Sequence, residues 1–261
     1  MAFITHCLAY CSLTAMLVGS CSLPISPMGE ADSVEAPSSL ELPAYDSVEE
    51  DILCYEGFTV SYNHSTLVPN WVAYELTAEE LEGGYHTQSS NFSRDPNLRG
   101  RQASREDYSH SGWDKGHMAP KADLRWSEKA YWQSHYFPNI CPQNHQLNGG
   151  DWNSLEKAVR RWAKEYGRVW IVCGPIFDSC RYGTIGDSMV QVPDAFFKAL
   201  LIPKGEGYYG VAYIMPNEGR HHPLSHYACT IDQLEECIHR DLFPALPDDV
   251  EDEVEGRLAH P

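Results

Sequence analysis

Residues 151–166 carry apolar side chains at three- and four-residue steps: Trp152, Leu155, Val159, Trp162 and Tyr166. That spacing predicts a helix with one apolar face. Three residues later the period changes. Val169-Trp170-Ile171-Val172-Cys173 is an unbroken apolar run closed by Gly174-Pro175, the pattern of a buried strand. A one-faced helix running into a buried strand has to lie on a sheet. Further strands are predicted at 58–62, at 71–76 after a Pro-Asn turn, at 196–202 and at 210–215. A second helix is predicted from about Thr230, and 83–112 reads as loop. The mixture is α+β with a central antiparallel sheet.

The chain has 261 residues, with 7 Trp, 15 Tyr and 8 Phe, enough to build a sizeable core and to exclude global disorder. Beyond the N-terminus no apolar run reaches the roughly 18 residues that span a bilayer, which excludes a multispan membrane protein. The net charge of -18 is unevenly spread. Residues 1–56 hold nine acids and no Lys or Arg, and 248–261 hold six acids and one Arg. The remainder, 57–247, has 22 acids against 18 bases, so a local positive surface is compatible with the acidic total.

Residues 1–20 have no charged side chain apart from His6, and an apolar stretch at 8–18 leads into Val18-Gly19-Ser20-Cys21. This predicts an export signal over 1–21, similar to a lipoprotein signal in which Cys21 carries the lipid and anchors the chain to a membrane. The positive start usual in such signals is missing. Residues 22–56 are rich in Ser, Pro and Glu and read as an acidic linker, leaving 57–261 as the folded domain. The expected location is outside the cytoplasm: secreted, periplasmic or on the cell surface. Of nine cysteines, six fall beyond the signal, and Cys173–Cys180 and Cys229–Cys237 are the pairs closest in sequence.

The chemistry concentrates in Asp114-Lys115-Gly116-His117-Met118-Ala119-Pro120, followed by Asn139-Ile140-Cys141-Pro142-Gln143, Asn148-Gly149-Gly150-Asp151-Trp152 and Leu155-Glu156. Phosphodiester hydrolysis needs a group that takes a proton from water near neutral pH, which suits His117. It also needs a cation for the charge on phosphorus and on the leaving oxygen. Mg²⁺ keeps most of its waters, so one protein oxygen such as the Asn148 amide can hold it. Glu156, eight residues on and about 80° around an α-helix from Asn148, can accept hydrogen bonds from metal-bound waters. Lys115 can contact a phosphate as a point charge.

These segments resemble the DNA/RNA non-specific endonucleases, the ββα-metal (His-Me finger) nucleases. Asp114-Lys115-Gly116-His117 is similar to the family's Asp-Arg-Gly-His motif. The resemblance continues in order through Pro69–Tyr74, Asp107–Gly112, Gly174-Pro175-Ile176, Ile231–Glu235 and Phe243-Pro244, covering roughly 58–255. It implies a ββα-metal fold with helices flanking the sheet, and metal-dependent cutting of DNA and RNA through their phosphate backbones. His117 is then the general base, Asn148 the protein ligand of Mg²⁺ (or Mn²⁺), Glu156 the holder of its waters, and Asn139 a shaper of the site. Two positions depart from the pattern. Lys115 stands where the family usually has Arg, and Ser89-Ser90 precede Asn91-Phe92 where an Arg is common. Arg94, Arg99 and Arg105 are candidates for that missing role.

Plainer readings compete at each position. Asn148 also suits a turn or a helix cap. Glu156 also suits a solvated pair with Arg160. Lys157, Arg160, Arg161, Lys164 and Arg168 read as a solvated helix face or as a surface that neutralises phosphates. His221, His222 and His226 lack the spacing of a zinc site. At the level of function, the rival is a surface-anchored binder with a degenerate nuclease fold that holds nucleic acid without cutting it. A secreted toxin ranks last.

Overall fold

A computed structural model describes residues 39–45, 51–87, 89 and 91–259. The segment of the expected signal, including Cys21, and most of the expected linker lie outside the described residues. Eleven strands are described: β1 Asp51–Cys54, β2 Thr59–Asn63, β3 Val68–Thr77, β4 Asp114–His117, β5 Ile140–Gln143, β6 Arg168–Ile176, β7 Thr184–Ile185, β8 Val190–Gln191, β9 Ala195–Lys204, β10 Gly207–Pro216 and β11 Ala228–Cys229. The α-helices are α1 Arg105–Tyr108, α2 Glu128–Gln133, α3 His145–Leu147, α4 Asn153–Tyr166, α5 Ile231–Ile238 and α6 Asp248–Glu255.

Seven strands form one sheet in the order β1-β2-β3-β6-β9-β10-β11, and every neighbouring pair is antiparallel. Its central strands are buried on both faces. On β3, Val72, Tyr74 and Leu76 join one core and Trp71 and Ala73 the other. On β6, Ile171 and Cys173 alternate with Val172 in the same way. Two covered faces explain why β6 reads as a continuous apolar run rather than an alternating one. Each fully buried Val, Leu, Ile or Phe contributes about 1.5–3 kcal/mol, so the two cores dominate the favourable side of folding.

On one face, α4 lays Leu155, Ala158, Val159, Trp162 and Ala163 into the first core. It ends at Gly167, whose φ of 88° is left-handed, and the Gly167 carbonyl accepts from Ala78 N at 2.8 Å. On the other face lie α5 and α6. As expected, α5 starts at Thr230, whose side chain accepts from Gln233 N within a capping box. β3 and β6 are neighbours in the sheet, yet the β4–β5 hairpin and α4 lie between them in sequence. The Asp114–His117 strand, Asn139, Asn148 and Glu156 thus all lie on an insertion between two adjacent strands.

Two expectations shift. The turn expected at Pro69-Asn70 falls earlier. Asn63 Oδ1 accepts from Ser65 N and Thr66 N, Leu67 takes a φ of 62°, and Pro69 pairs with Tyr62 inside β3 at a bulge. The folded domain also begins before residue 57. β1 is the sheet's edge strand, and Leu40 and Leu42 pack on the second core while Ala44 N donates to Asp241 O at 2.9 Å. Both segments are short and flanked by Ser, Pro and acidic residues, which disguised them, and β1 is mostly exposed.

Gly210 on β10 lets α5 and α6 approach the sheet. A Cβ there would lie 2.6 Å from Val254 O and 2.9 Å from Ile231 Cδ1. Gly210→Ala is expected to lower unfolding free energy by about 1–3 kcal/mol in urea titrations. An unchanged urea midpoint would mean that the helices are not seated this closely.

Candidate functional site

Asp114, Lys115, Gly116 and His117 form β4, which pairs with β5 so that Lys115 faces Pro142 and His117 faces Ile140. The two-residue period places Lys115 and His117 on one side of the strand. Gly116 is demanded on the other side, where a Cβ would fall 2.2 Å from Gln143 Oε1 and 2.7 Å from Gln143 Cβ. Beyond the strand, buried Asn139 clamps the chain. Its Oδ1 accepts from Ala119 N at 2.9 Å, and its Nδ2 donates to Ala119 O and Ser134 O at 2.9 and 2.8 Å. Both ends of this amide are spent on backbone, so Asn139 fixes the chain two residues after His117. It acts as a positioning residue.

The His117 ring packs against Phe92 at 5.3 Å and, at right angles, His135 at 5.1 Å between centroids. Its Nε2 is buried without a protein hydrogen-bond partner. Burial pushes its pKa down to about 3, with His135 and Lys121 adding to the shift. The ring is therefore neutral at physiological pH. His135 is fully buried; its Nδ1 donates to Tyr131 O at 2.9 Å. Lys115 Nζ lies 5.6 Å from the centre of the Phe92 ring and 5.5 Å from that of Tyr108. Two rings thus hold the ammonium by cation–π attraction beside His117.

The helical side of the site starts at Asn144, whose side chain accepts from Gln146 N and Leu147 N. α3 passes into a π-helical turn over Asn148–Trp152, then α4. Asn148 Nδ2 donates to Asp114 Oδ2 at 2.9 Å, and the same oxygen takes His145 Nδ1 at 2.9 Å. With its NH₂ committed, the Asn148 amide presents its carbonyl oxygen as the remaining donor. That is the hard, neutral oxygen that Mg²⁺ or Mn²⁺ accepts, so the residues fit such an ion. The π turn also alters the phase of Glu156. One extra residue in the turn removes roughly 100° of rotation, so the 80° separation expected from Asn148 shrinks to roughly 20°.

Glu156 does not form the solvated pair with Arg160 that the plainer reading offered. Arg160 Nη1 binds buried Asp123 at 2.7 Å, and Tyr74 OH donates to the same carboxylate at 3.0 Å. Beneath them Lys198, 1% exposed, donates to Met118 O at 3.4 Å and sits 4.7 Å from the centre of the Trp152 ring. Burial raises the Glu156 pKa to about 7; Lys198 and Arg160 pull it down and Asp123 pushes it up. Sequence reasoning missed Asp114 as the partner of Asn148, and also His135, Asp123 and Lys198. Lys198 had a legible signal, a lone cation inside the apolar run Phe196-Phe197-Lys198-Ala199-Leu200. His135 and Asp123 had none, because only the fold brings them to the site.

The basic face of α4 is not simply solvated. Arg160, Arg161 and Lys164 join Arg125 and His86 around a cavity of about 460 Å³. Arg125 Nε there is buried without a partner. Arg168 is apart, paired with Glu75 at 2.7 Å. Arg94 and Arg105 are exposed; Arg94 Nε donates to Ala103 O at 3.4 Å. His221 pairs with buried Asp151, and His222 stacks on His226 at 4.1 Å. Cys173 and Cys180, a pair close in sequence, are both free thiols. Cys173 is buried with its thiol on Met118 O and Val72 O, whereas Cys180 is exposed and donated to by Gln191.

The family model for DNA/RNA non-specific endonucleases matches residues 37–249. The mitochondrial nuclease EXOG of Danio rerio is 33% identical over 207 residues, 74% of this chain and 60% of that protein. Mitochondrial endonuclease G of Bos taurus is 33% identical over 192 residues, 69% of this chain and 64% of that protein. Nuclease C1 of Cunninghamella echinulata var. echinulata is 31% identical, covering 75% of this chain and 84% of that protein. The chain thus spans about 60% of the length of the first two relatives. The crystal structure of an EndoG/EndoGI complex superposes with a TM-score of 0.74 at 26% identity, covering 81% of this chain and 91% of that one.

A carboxyl raised to about 7 stays protonated longer in the folded than in the unfolded chain. Its ionisation therefore removes stability as pH rises from about 4.5 towards 7, and the loss is complete above that. Glu156→Gln is expected to raise Tm by several degrees at pH 8 and to leave it unchanged at pH 4.5. Equal Tm values at both pH values would show that the carboxylate is not held in a destabilising environment.

Proposed function

The chain belongs to the DNA/RNA non-specific endonuclease family, and with the site described above we propose that it is a metal-dependent nuclease. It hydrolyses phosphodiester bonds of DNA and RNA with little sequence preference. One juxtaposition carries this reading. On a single β4–β5–helix unit, a neutral His117 with an unpartnered Nε2 accompanies an Asn148 carbonyl freed by Asp114.

His117 takes the proton from a water as its oxygen attacks phosphorus, and the bond from phosphorus to the leaving oxygen breaks. The imidazolium that forms gains from the phosphate charge beside it, which offsets the burial that keeps the free ring neutral. Asn148 would hold Mg²⁺, or Mn²⁺, by its amide oxygen, and such an ion would supply charge neutralisation at the phosphate. Glu156 would accept hydrogen bonds from waters beside Asn148. Lys115 offers a single charge to a non-bridging oxygen, with less directional grip than Arg. Asn139 and Asp114 position His117 and Asn148.

The cavity lined by Arg125, Arg160, Arg161 and Lys164, with Glu80 on its wall, is the surface we assign to the phosphate backbone beyond the reacting bond. Contacts of this kind position a strand without reading bases, which supports low sequence preference. Arg161→Glu with Lys164→Glu is expected to raise KM severalfold with kcat little changed, and to flatten the salt dependence of binding by about one to two units of slope. A fall in kcat at unchanged KM would place these residues elsewhere in the mechanism.

Export through residues 1–21 and lipidation of Cys21 fit the apolar start and the small residues before that cysteine. Cys21→Ser is expected to abolish lipid labelling and release the protein from membranes. Labelling that survives the substitution would contradict the anchor.

The function is tested by digesting plasmid and RNA with purified protein in Mg²⁺, in EDTA, and with His117→Ala. Cutting in Mg²⁺ alone, reduced at least about a hundredfold by the substitution, is the expected result. Nucleic-acid binding without cutting by the folded wild type, across several divalent ions, would favour the surface-anchored binder instead.

A further inference from the structure

On the sheet face opposite the candidate nuclease site, three carboxylates from α5 and α6 converge. Oxygens of Asp232, Glu235 and Glu255 all lie within 4.8 Å of one another. Their exposure is graded: Asp232 is open to solvent, Glu235 is half-buried, and Glu255 is 4% exposed. The approach is enforced by packing. Val254 and Ile231 both press on the sheet at Gly210, which draws the end of α6 towards the start of α5.

Such a cluster alone needs no ligand, since exposed acids often crowd. Glu255 is different. Its Oε1 is buried and has no hydrogen-bond partner in the protein. The main charges acting on it, from Glu235, Glu251, Asp232 and Asp241, are all negative. Burial and these neighbours push its pKa to about 9, and that of Glu235 to about 7. A carboxylate placed like this either keeps a proton or meets a cation. The nearby basic side chain of Arg257 is turned to Glu253 at 3.7 Å instead.

We propose that Asp232, Glu235 and Glu255 bind a divalent cation, Ca²⁺, that ties α6 to α5 and holds the C-terminal helix on the sheet. The donor set selects the ion. Three carboxylates offer only hard oxygens, and Ca²⁺ accepts several carboxylates in a flexible shell, whereas Mg²⁺ keeps most of its waters and takes one or two. Glu235 already accepts from Leu242 N through one oxygen, so its second oxygen is the one available to the ion. Binding exchanges the Glu255 proton for Ca²⁺, and the proton leaves to solvent.

The test uses the full chain with Asn148→Ala, which removes the other proposed cation ligand, so failure of the nuclease reading and failure of this one are separable. Calorimetric titration with CaCl₂ at pH 7 is run in two buffers of different ionisation heat. Thermal unfolding is followed in Ca²⁺ and in EDTA. The expected result is one Ca²⁺ bound with proton release, and a Tm about 5 °C higher in saturating Ca²⁺ than in EDTA. Adding Glu255→Gln, which keeps the side chain's shape, lowers Ca²⁺ affinity at least about tenfold. It also leaves Tm in EDTA equal or higher, since a buried acid is gone. In the Asn148-intact background, Glu255→Gln leaves nucleic-acid cutting unchanged. Absence of Ca²⁺ binding at millimolar concentration, or equal affinity in the Glu255→Gln protein, overturns the proposal. In either case Glu255 simply holds its proton.

Discussion

The 2.9 Å hydrogen bond from Asn148 Nδ2 to Asp114 Oδ2 organises the rest of the site. An amide has a donor end and an acceptor end, and without a partner it can turn either towards a cation. Asp114 takes the donor end and leaves the carbonyl. The same bond joins the first residue of β4 to the π turn that leads into α4, and so ties the strand that carries His117 to the helix that carries Glu156. The sheet supplies the floor. Trp152, Leu155 and Val159 hold the helix on it, and Asn139 locks the backbone just beyond His117.

The electrostatics beneath this arrangement are balanced rather than neutral by omission. Lys198 and Arg160 face Asp123 and Glu156 inside the core, two charges of each sign. A buried ion group of this kind adds little net stability, and Glu156 is its least compensated member, because burial outweighs the pull of Lys198 and Arg160 on its carboxylate. Its value here is placement. It keeps a carboxyl, Glu156, near the point where ionisation depends on what else enters the site. His117 is treated the opposite way, walled by Phe92 and His135 so that it carries no charge until a proton arrives from the reaction.

Much of this was legible in the residues. The helix at 151–166 and the strand at 169–173 follow from apolar period alone; the strand, however, is not closed by Gly174-Pro175 but runs through them to Ile176, paired with β9. His117, Asn148 and Glu156 stood out because local motifs carry them. The start of the domain was not legible: β1 is a four-residue, mostly exposed edge strand whose pairing depends on β2 and not on its own pattern. Nor was the π turn at Asn148–Trp152, because Gly149-Gly150 reads equally as a helix cap or a loop. His135, Asp123 and the Arg125 cavity come together only through the insertion between β3 and β6, which no window of sequence spans.

The Mg²⁺ dependence of cutting by Asp114→Ala tests the central arrangement most directly. If Asp114 orients the ligand amide, the Mg²⁺ concentration for half-maximal rate rises at least about tenfold, in the range usual for loss of a ligand's own hydrogen-bond partner. The rate at saturating Mg²⁺ should recover much of its wild-type value. A half-maximal concentration equal to the wild type's, in a folded protein, would contradict the account and detach Asn148 from the metal.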